Sequence, residues 1–267
     1  MLKKIIEFLV LKVFRRNNNI LNIMWNNRDE IIIGRDYSIN YGKKINDKNN
    51  KIDHSSEPLF EFVNKDIIDK YDDFINLLDN YTKKLKINEV YSINELKEID
   101  TFINNTLKTK NGKLLNNFLL EEGFVEKKED ITIFIKDIWF TLYDRKKSGV
   151  KDSCGFEHIF VGEINGKKIG GYHYWLTTYL DELKGVFNHY GYHKKNRFIL
   201  TNQFELEDTR KPIGGFIIGI DPYTQFCMYT IISLDTKFRT LDGICTFKYY
   251  YFKYNNKKYI NTCYPVI

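Results

Sequence analysis

Asp152-Ser153-Cys154-Gly155-Phe156-Glu157-His158-Ile159-Phe160-Val161-Gly162-Glu163 is the stretch at which the pattern of this 267-residue chain changes. Upstream, from Glu57 to about Tyr143, apolar residues recur at intervals of three and four, the period of a helix with one buried face. Leu59, Phe60, Phe62 and Val63 open that region just after Pro58, and Ile67, Ile68, Tyr71, Phe74, Leu77, Leu78 and Tyr81 continue it. Ser92-Ile93-Asn94-Glu95 has the form of a capping box and predicts a helix through Leu96, Ile99 and Phe102. A further helix is expected through Ile131, Ile135, Ile138, Trp139 and Leu142. Downstream of Gly155 the chain turns strand-like, first over 156–164 and up to a turn at Asn165-Gly166. Gly170-Gly171 break it before one helix with Trp175, Leu176, Tyr179, Leu180 and Leu183 on a common face. Strand-rich runs follow at 198–206, 213–220, 226–234 and 245–254, and Asn255-Asn256 is a hairpin turn leading into 257–264. Helices first and strands later predict an α+β fold. The expected division is an extension over 1–19 and one unit over 20–267, with a helical lobe to about 150 packed on a β-rich lobe from 151.

Working outward, the bulk properties limit the partners. The formal net charge is +6, and residues 151–267 carry 15 Lys and Arg against 11 Asp and Glu. A mild positive field of this kind suits a polyanion, and equally suits an ordinary solvated surface. Cys154, Cys227, Cys245 and Cys263 lie far apart, with no CxxC pair, and read as buried thiols rather than zinc ligands or a disulfide framework. The beginning of the chain is apolar to Phe14, but Glu7 and Lys12 interrupt it and Arg15-Arg16 follow where small cleavage-site residues would stand. It reads as a short amphipathic helix, too short to span a membrane, and the chain as intracellular.

Chemistry-bearing residues are few. His158 and His173 lie fifteen residues apart in aromatic surroundings. Imidazoles titrate near neutrality and can serve as an acid–base pair; by pattern alone they can equally be packed or surface residues. Glycines precede His173 and a helix follows, so a helix N-terminus would favour its neutral form. Glu157 and Glu163 flank His158 as supporting carboxylates; in a strand Glu157 would point away from it, towards a structural hydrogen bond. Lys211 stands between the polar turn 207–210 and the run 213–220, either as an exposed turn lysine or as a cation for a charged intermediate. Thr262 and Tyr264 share one strand face, where a tyrosine can stack on a base or fill a core. His189, His193, Lys194, Lys195 and Arg197 read as a basic loop around Gly191. No Walker loop, dinucleotide fingerprint, HExxH or Gly-x-Ser-x-Gly occurs.

At these positions the sequence resembles the EndoU (XendoU-like) endoribonucleases. The resemblance is carried by 152–163, by Gly171-Tyr172-His173-Tyr174-Trp175, by Lys211-Pro212-Ile213-Gly214-Gly215-Phe216 and by Asn261-Thr262-Cys263-Tyr264-Pro265-Val266, with 21–40 and 77–81 upstream. It implies an α+β fold with the site in a cleft, and single-stranded RNA as partner, cut at uridines. It also implies His173 as general base, His158 as general acid and Lys211 as stabiliser of the transition state. The products would be a 2′,3′-cyclic phosphate and a 5′-hydroxyl, and Gly215, Thr262 and Tyr264 would bind the nucleotide. Manganese is implied as an activator, although no ligand cluster is evident in the sequence, so such an effect would act through RNA or a distant acidic group. One departure stands out: where these enzymes usually carry serine, four positions after the lysine, this chain has Gly215. A relaxed preference for uridine is therefore expected. The alternative readings are an RNA-binding protein of the same fold without cleavage and a metal-dependent phosphodiesterase; both histidines and the lysine speak against the first, and the lack of clustered ligands against the second.

Overall fold

A computed structural model describes residues 19–145 and 149–267. The amphipathic helix expected at the N-terminus falls outside these residues. Among the described residues no helix is long and apolar enough to cross a membrane.

The fold is α+β. Helix α1 (Ile20–Asn26) leads into a small hairpin-like pair, β1 (Tyr37–Ile39) with β2 (Phe60–Val63). Leu59 to Val63 are therefore not the start of a helix: Phe60 and Val63 are buried while Glu61 and Phe62 are exposed, and the segment pairs antiparallel with β1. Short helices α2 (Lys65–Lys70) and α3 (Asp72–Ile75) follow, then α4 (Ile93–Lys108). The Ser92–Glu95 capping box opens α4 as expected, and Ile99, Phe102, Ile103 and Thr106 form its buried stripe. Helices α5 (Lys110–Glu121) and α6 (Ile131–Phe140) complete this part of the chain; Leu142 lies beyond α6.

The run 156–164 departs most from the sequence expectation. Glu157–Val161 forms a single π-helical turn, ended by Gly162 at φ 85°, and only then does β3 (Glu163–Asn165) begin. The alternation of Phe156, His158 and Phe160 imitates a strand, but all five residues of the turn are buried, so no solvent face exists to alternate with. The turn packs through Phe156 and Phe160, whose rings stack on each other at 4.9 Å and meet Phe74 from α3. β3 pairs with β4 (Lys168–Gly170), and α7 (Trp175–Leu183) follows as the sequence indicates.

Two three-stranded antiparallel sheets flank the site. One has the order β5 (Phe187–Lys195), β6 (Ile199–Leu206), β7 (Thr209–Ile217). The supposed basic loop around Gly191 is thus the bulged strand β5. The other sheet joins β8 (Thr240–Leu241), β9 (Cys245–Tyr254) and β10 (Lys257–Val266). Asn255 and Asn256, at φ 47° and 61°, make the tight turn between the last two. Between the sheets in sequence, 226–234 is not a strand but the larger part of helix α8 (Pro222–Leu234). Asp221 caps it, accepting from the Thr224 N–H at 2.8 Å, and Pro222 sits in the first turn. Because α8 is buried nearly all round, its apolar run shows no helical period. Trp139 of α6 stacks on Phe226 of α8 at 4.4 Å, tying the helices into one core. All four cysteines are buried and unpaired, as expected.

Candidate active site

His158 enters from the π-helical turn and His173 from the segment just before α7, and main-chain bonds hold these two stretches together. The Tyr172 N–H donates to the His158 carbonyl at 2.9 Å, and the His173 N–H donates to the Ile159 carbonyl at 2.7 Å. Gly171, at φ 60°, makes this approach possible: a Cβ there would overlap the His158 carbonyl oxygen. Both histidines, Lys211, Gly215, Thr262 and Tyr264 line one cavity of about 910 Å³. Of the eight site residues singled out from sequence, Glu157 and Glu163 are set back from it.

The two imidazoles are held by their Nδ1 atoms. His158 Nδ1 lies 2.8 Å from Glu163 Oε2. Glu163 is also gripped by Arg145 at 2.9 and 3.1 Å, and by the Ser153 hydroxyl. Burial pushes the Glu163 carboxyl up, but His158, Arg145 and Ser153 together outweigh it and bring it down to about 2. An ionised carboxylate only accepts, so Nδ1 of His158 carries the proton and its Nε2 is left for the cavity. Burial lowers the His158 pKa, and Glu163 opposes that shift.

His173 Nδ1 lies 2.8 Å from the Gly215 carbonyl oxygen. A carbonyl only accepts, so here too Nδ1 carries the proton and Nε2 bears the lone pair. Its pKa is held well below 6.5, first by burial and then by the charge of Lys211. Tyr264 stacks on the His173 ring at 5.0 Å, so one face of the tyrosine is already occupied. Gln225 of α8 donates to the His173 carbonyl at 3.2 Å and fixes the backbone beneath the ring.

Lys211 lies within β7 rather than in a turn, half-buried, with its amine donating to the Gly171 carbonyl. Burial brings that amine down to about 7 against the pull of Glu163. Thr262 is buried, and its hydroxyl has no hydrogen-bond partner. Glu157 is fully buried; neither carboxyl oxygen has a partner, so it is not the hydrogen-bond support expected of it. Burial, followed by Glu163 and Glu89, holds its carboxyl well above the usual carboxylate range. His189 is a structural residue: it is buried, faces the Tyr41 carbonyl at 3.0 Å and is brought down to about 4 by burial. His193 and Lys194 do reach the cavity rim.

Sequence reasoning missed Arg145, which touches Glu163, Ser153 (2.7 Å) and the Nδ1 side of His158 (3.2 Å) at once. It also missed Thr201, Lys248 and Tyr250, which line the cavity from β6 and β9. No local pattern marks any of them. A resident manganese ion does not fit this site: among the described residues no three His, Cys, Asp or Glu side chains converge to hold a metal.

The fold and cleft define an α+β protein with two differently held histidines and a lysine in one cavity. The family model of endoribonuclease XendoU matches residues 17–265, and the chain belongs to that family. It is 31% identical to the poly(U)-specific endoribonuclease of Xenopus tropicalis over 94% of this chain and 92% of that one. With the uridylate-specific endoribonuclease B of Danio rerio it shares 32% identity over 94% and 96% of the two chains. The solved structure of XendoU, described as a splicing-independent snoRNA-processing endoribonuclease, superposes with a TM-score of 0.77 at 29% identity, covering 92% of this chain and 94% of the other.

Proposed function

We propose that this protein cleaves single-stranded RNA on the 3′ side of uridines by internal attack of the ribose 2′-hydroxyl. His173 Nε2, the atom bearing the lone pair, takes the 2′-hydroxyl proton as the oxygen attacks phosphorus. His158, protonated at Nε2 as well as at Nδ1 when the phosphate is bound, gives a proton to the departing 5′-oxygen. Lys211, once the phosphate restores its full charge, stabilises the dianionic phosphorane. The products are a 2′,3′-cyclic phosphate and a 5′-hydroxyl. The observation that carries this reading is the tautomer pattern: both histidines are anchored through Nδ1 in one cavity, one on an ionised carboxylate and one on a neutral carbonyl. The two different partners bias the rings towards different roles, and the bound phosphate completes the acid form of His158.

No step of this reading runs through a metal ion, so cleavage of a short uridine-containing RNA is expected in EDTA, and any stimulation by manganese would act through the RNA or a distant acidic group. The test is product chemistry. A substrate with 2′-deoxyuridine at the cleaved position should stay intact, because the nucleophile is missing. Cutting it at a comparable rate, or absolute dependence on added metal, overturns the mechanism; binding without cleavage would mark an RNA-binding protein instead.

A further inference from the structure

The reaction leaves several side chains of the cavity without a task, Thr201 among them. On β7, Gly215 offers no side chain, and its carbonyl is committed to His173. Thr201 of β6 is the cross-strand partner of Gly215. The two share a face, since a Cβ on Gly215 would lie 3.6 Å from Thr201 Oγ1. Thr201 is half-buried and lines the same cavity as His173 and Tyr264. Its hydroxyl takes no part in the bonds that hold His158, His173 or Lys211. Thr262, lining the cavity from β10, leaves its buried Oγ1 without a partner. A buried hydroxyl left unpaired is costly, and Thr262 Oγ1 is one, so a polar ligand edge suits this cavity.

We propose that Thr201 is a specificity-determining residue, its hydroxyl hydrogen-bonding the polar edge of a pyrimidine seated over the bare backbone of Gly215. This deepens the ribonuclease reading and rests on it. A hydroxyl can both donate and accept, so it serves the uracil edge and, after rotation, the cytosine edge. It thereby supplies base recognition while keeping the choice between the two pyrimidines loose. A side chain at Gly215 is no ready substitute: its Cβ would press on the Leu200 carbonyl oxygen at 3.2 Å.

The test compares full-length wild type, Thr201→Val and Thr201→Ser on paired RNAs. One carries uridine at the cleaved position; the other carries the difluorotolyl ribonucleotide, which keeps the shape of the base without its strong hydrogen bonds. Thr201→Val should lower kcat/KM on uridine about tenfold, the worth of one hydrogen bond in a desolvated site. It should leave the difluorotolyl substrate unchanged, and Thr201→Ser should retain the wild-type ratio. Equal losses on both substrates would make Thr201 structural, and no loss on either would make it idle; each overturns the proposal. If wild type cuts neither RNA, the ribonuclease reading fails separately, and calorimetry with uridine 3′-monophosphate and inorganic phosphate decides. About tenfold weaker nucleotide binding by Thr201→Val with unchanged phosphate binding supports the contact; equal affinities for the nucleotide reject it.

Discussion

On one side of the cavity His158 hangs from Glu163, which Arg145 and Ser153 also hold, in a dense and largely buried knot of charge. On the other, His173 hangs from a single backbone carbonyl and lies flat against Tyr264, with Lys211 as its charged neighbour. The residue type and the anchoring atom are the same; the partner's charge differs. A carboxylate beside an imidazole favours imidazolium, whereas a buried carbonyl beside a lysine favours the neutral ring. In the proposed mechanism this contrast lets one side chain, used twice, supply an acid and a base at a single pH.

The contrast breaks first at the rings themselves. His158→Ala or His173→Ala should each lower single-turnover cleavage by roughly a hundredfold to ten-thousandfold with RNA affinity little changed. Near-normal turnover in either folded variant would remove that ring from the mechanism.

Next in size is Lys211. Lys211→Ala should lower kcat about a hundredfold and KM little, because its charge matters most in the transition state. The pH profile sharpens this. With its amine at about 7, Lys211 loses its proton as pH rises past neutrality, and the reaction also needs His158 protonated. The alkaline limb of log kcat/KM should therefore steepen towards a slope of about −2 in wild type and relax to about −1 in Lys211→Ala. His173, held well below 6.5, should place the acid limb well below that value. A change in KM alone would recast the lysine as a phosphate-positioning group.

Glu163→Gln tests the charged side alone. A charge-assisted hydrogen bond is worth about 1.5–3 kcal/mol, so turnover should fall roughly tenfold to a hundredfold while the His173 limb stays in place. The stability effect has a defined sign. Because folding lowers the Glu163 pKa, its contribution is present above the ordinary carboxylate range and is lost as pH falls towards about 2. Acid unfolding of Glu163→Gln should be shallower than wild type across that window, and an unchanged acid limb of stability would show that Glu163 is not the group that titrates.

The smallest effect belongs to the uncharged side. Tyr264→Ala should lower cleavage after uridine and cytidine together, by about tenfold, since aromatic stacking discriminates little between bases. It should also move the acid limb upward, because the His173 ring loses part of its cover. A loss confined to uridine would make the tyrosine a reader of the base edge instead.

What the sequence made legible follows from how each element is buried. Helix α4 could be read because Ser92 and Glu95 mark its start and one stripe alone is buried. Helix α8 and the π-helical turn could not, because burial on all sides erases the period that separates helix from strand. The same holds within the site. His158, His173 and Lys211 are rare residue types in distinctive surroundings, and the structure brings them to one cavity. Arg145 reads in sequence as another cation beside Lys146 and Lys147, and only the fold reveals its grip on Glu163. Glu157 shows the reverse: adjacency to His158 suggested support, but the helical turn points it into the core.

The two main-chain bonds from Tyr172 and His173 back to His158 and Ile159 have a consequence for how this centre can change over time. The separation of the histidines is written in backbone rather than in the side chains around them. Other neighbouring residues can drift, and with them the choice of substrate, while these bonds keep the two backbones together and Glu163 and Gly215 aim the rings. The segment from 158 to 173 is in that sense a cassette, closed on itself through its backbone. Its strictest requirement is a residue with no side chain at 171, where any Cβ would overlap the His158 carbonyl oxygen and prise the pair apart.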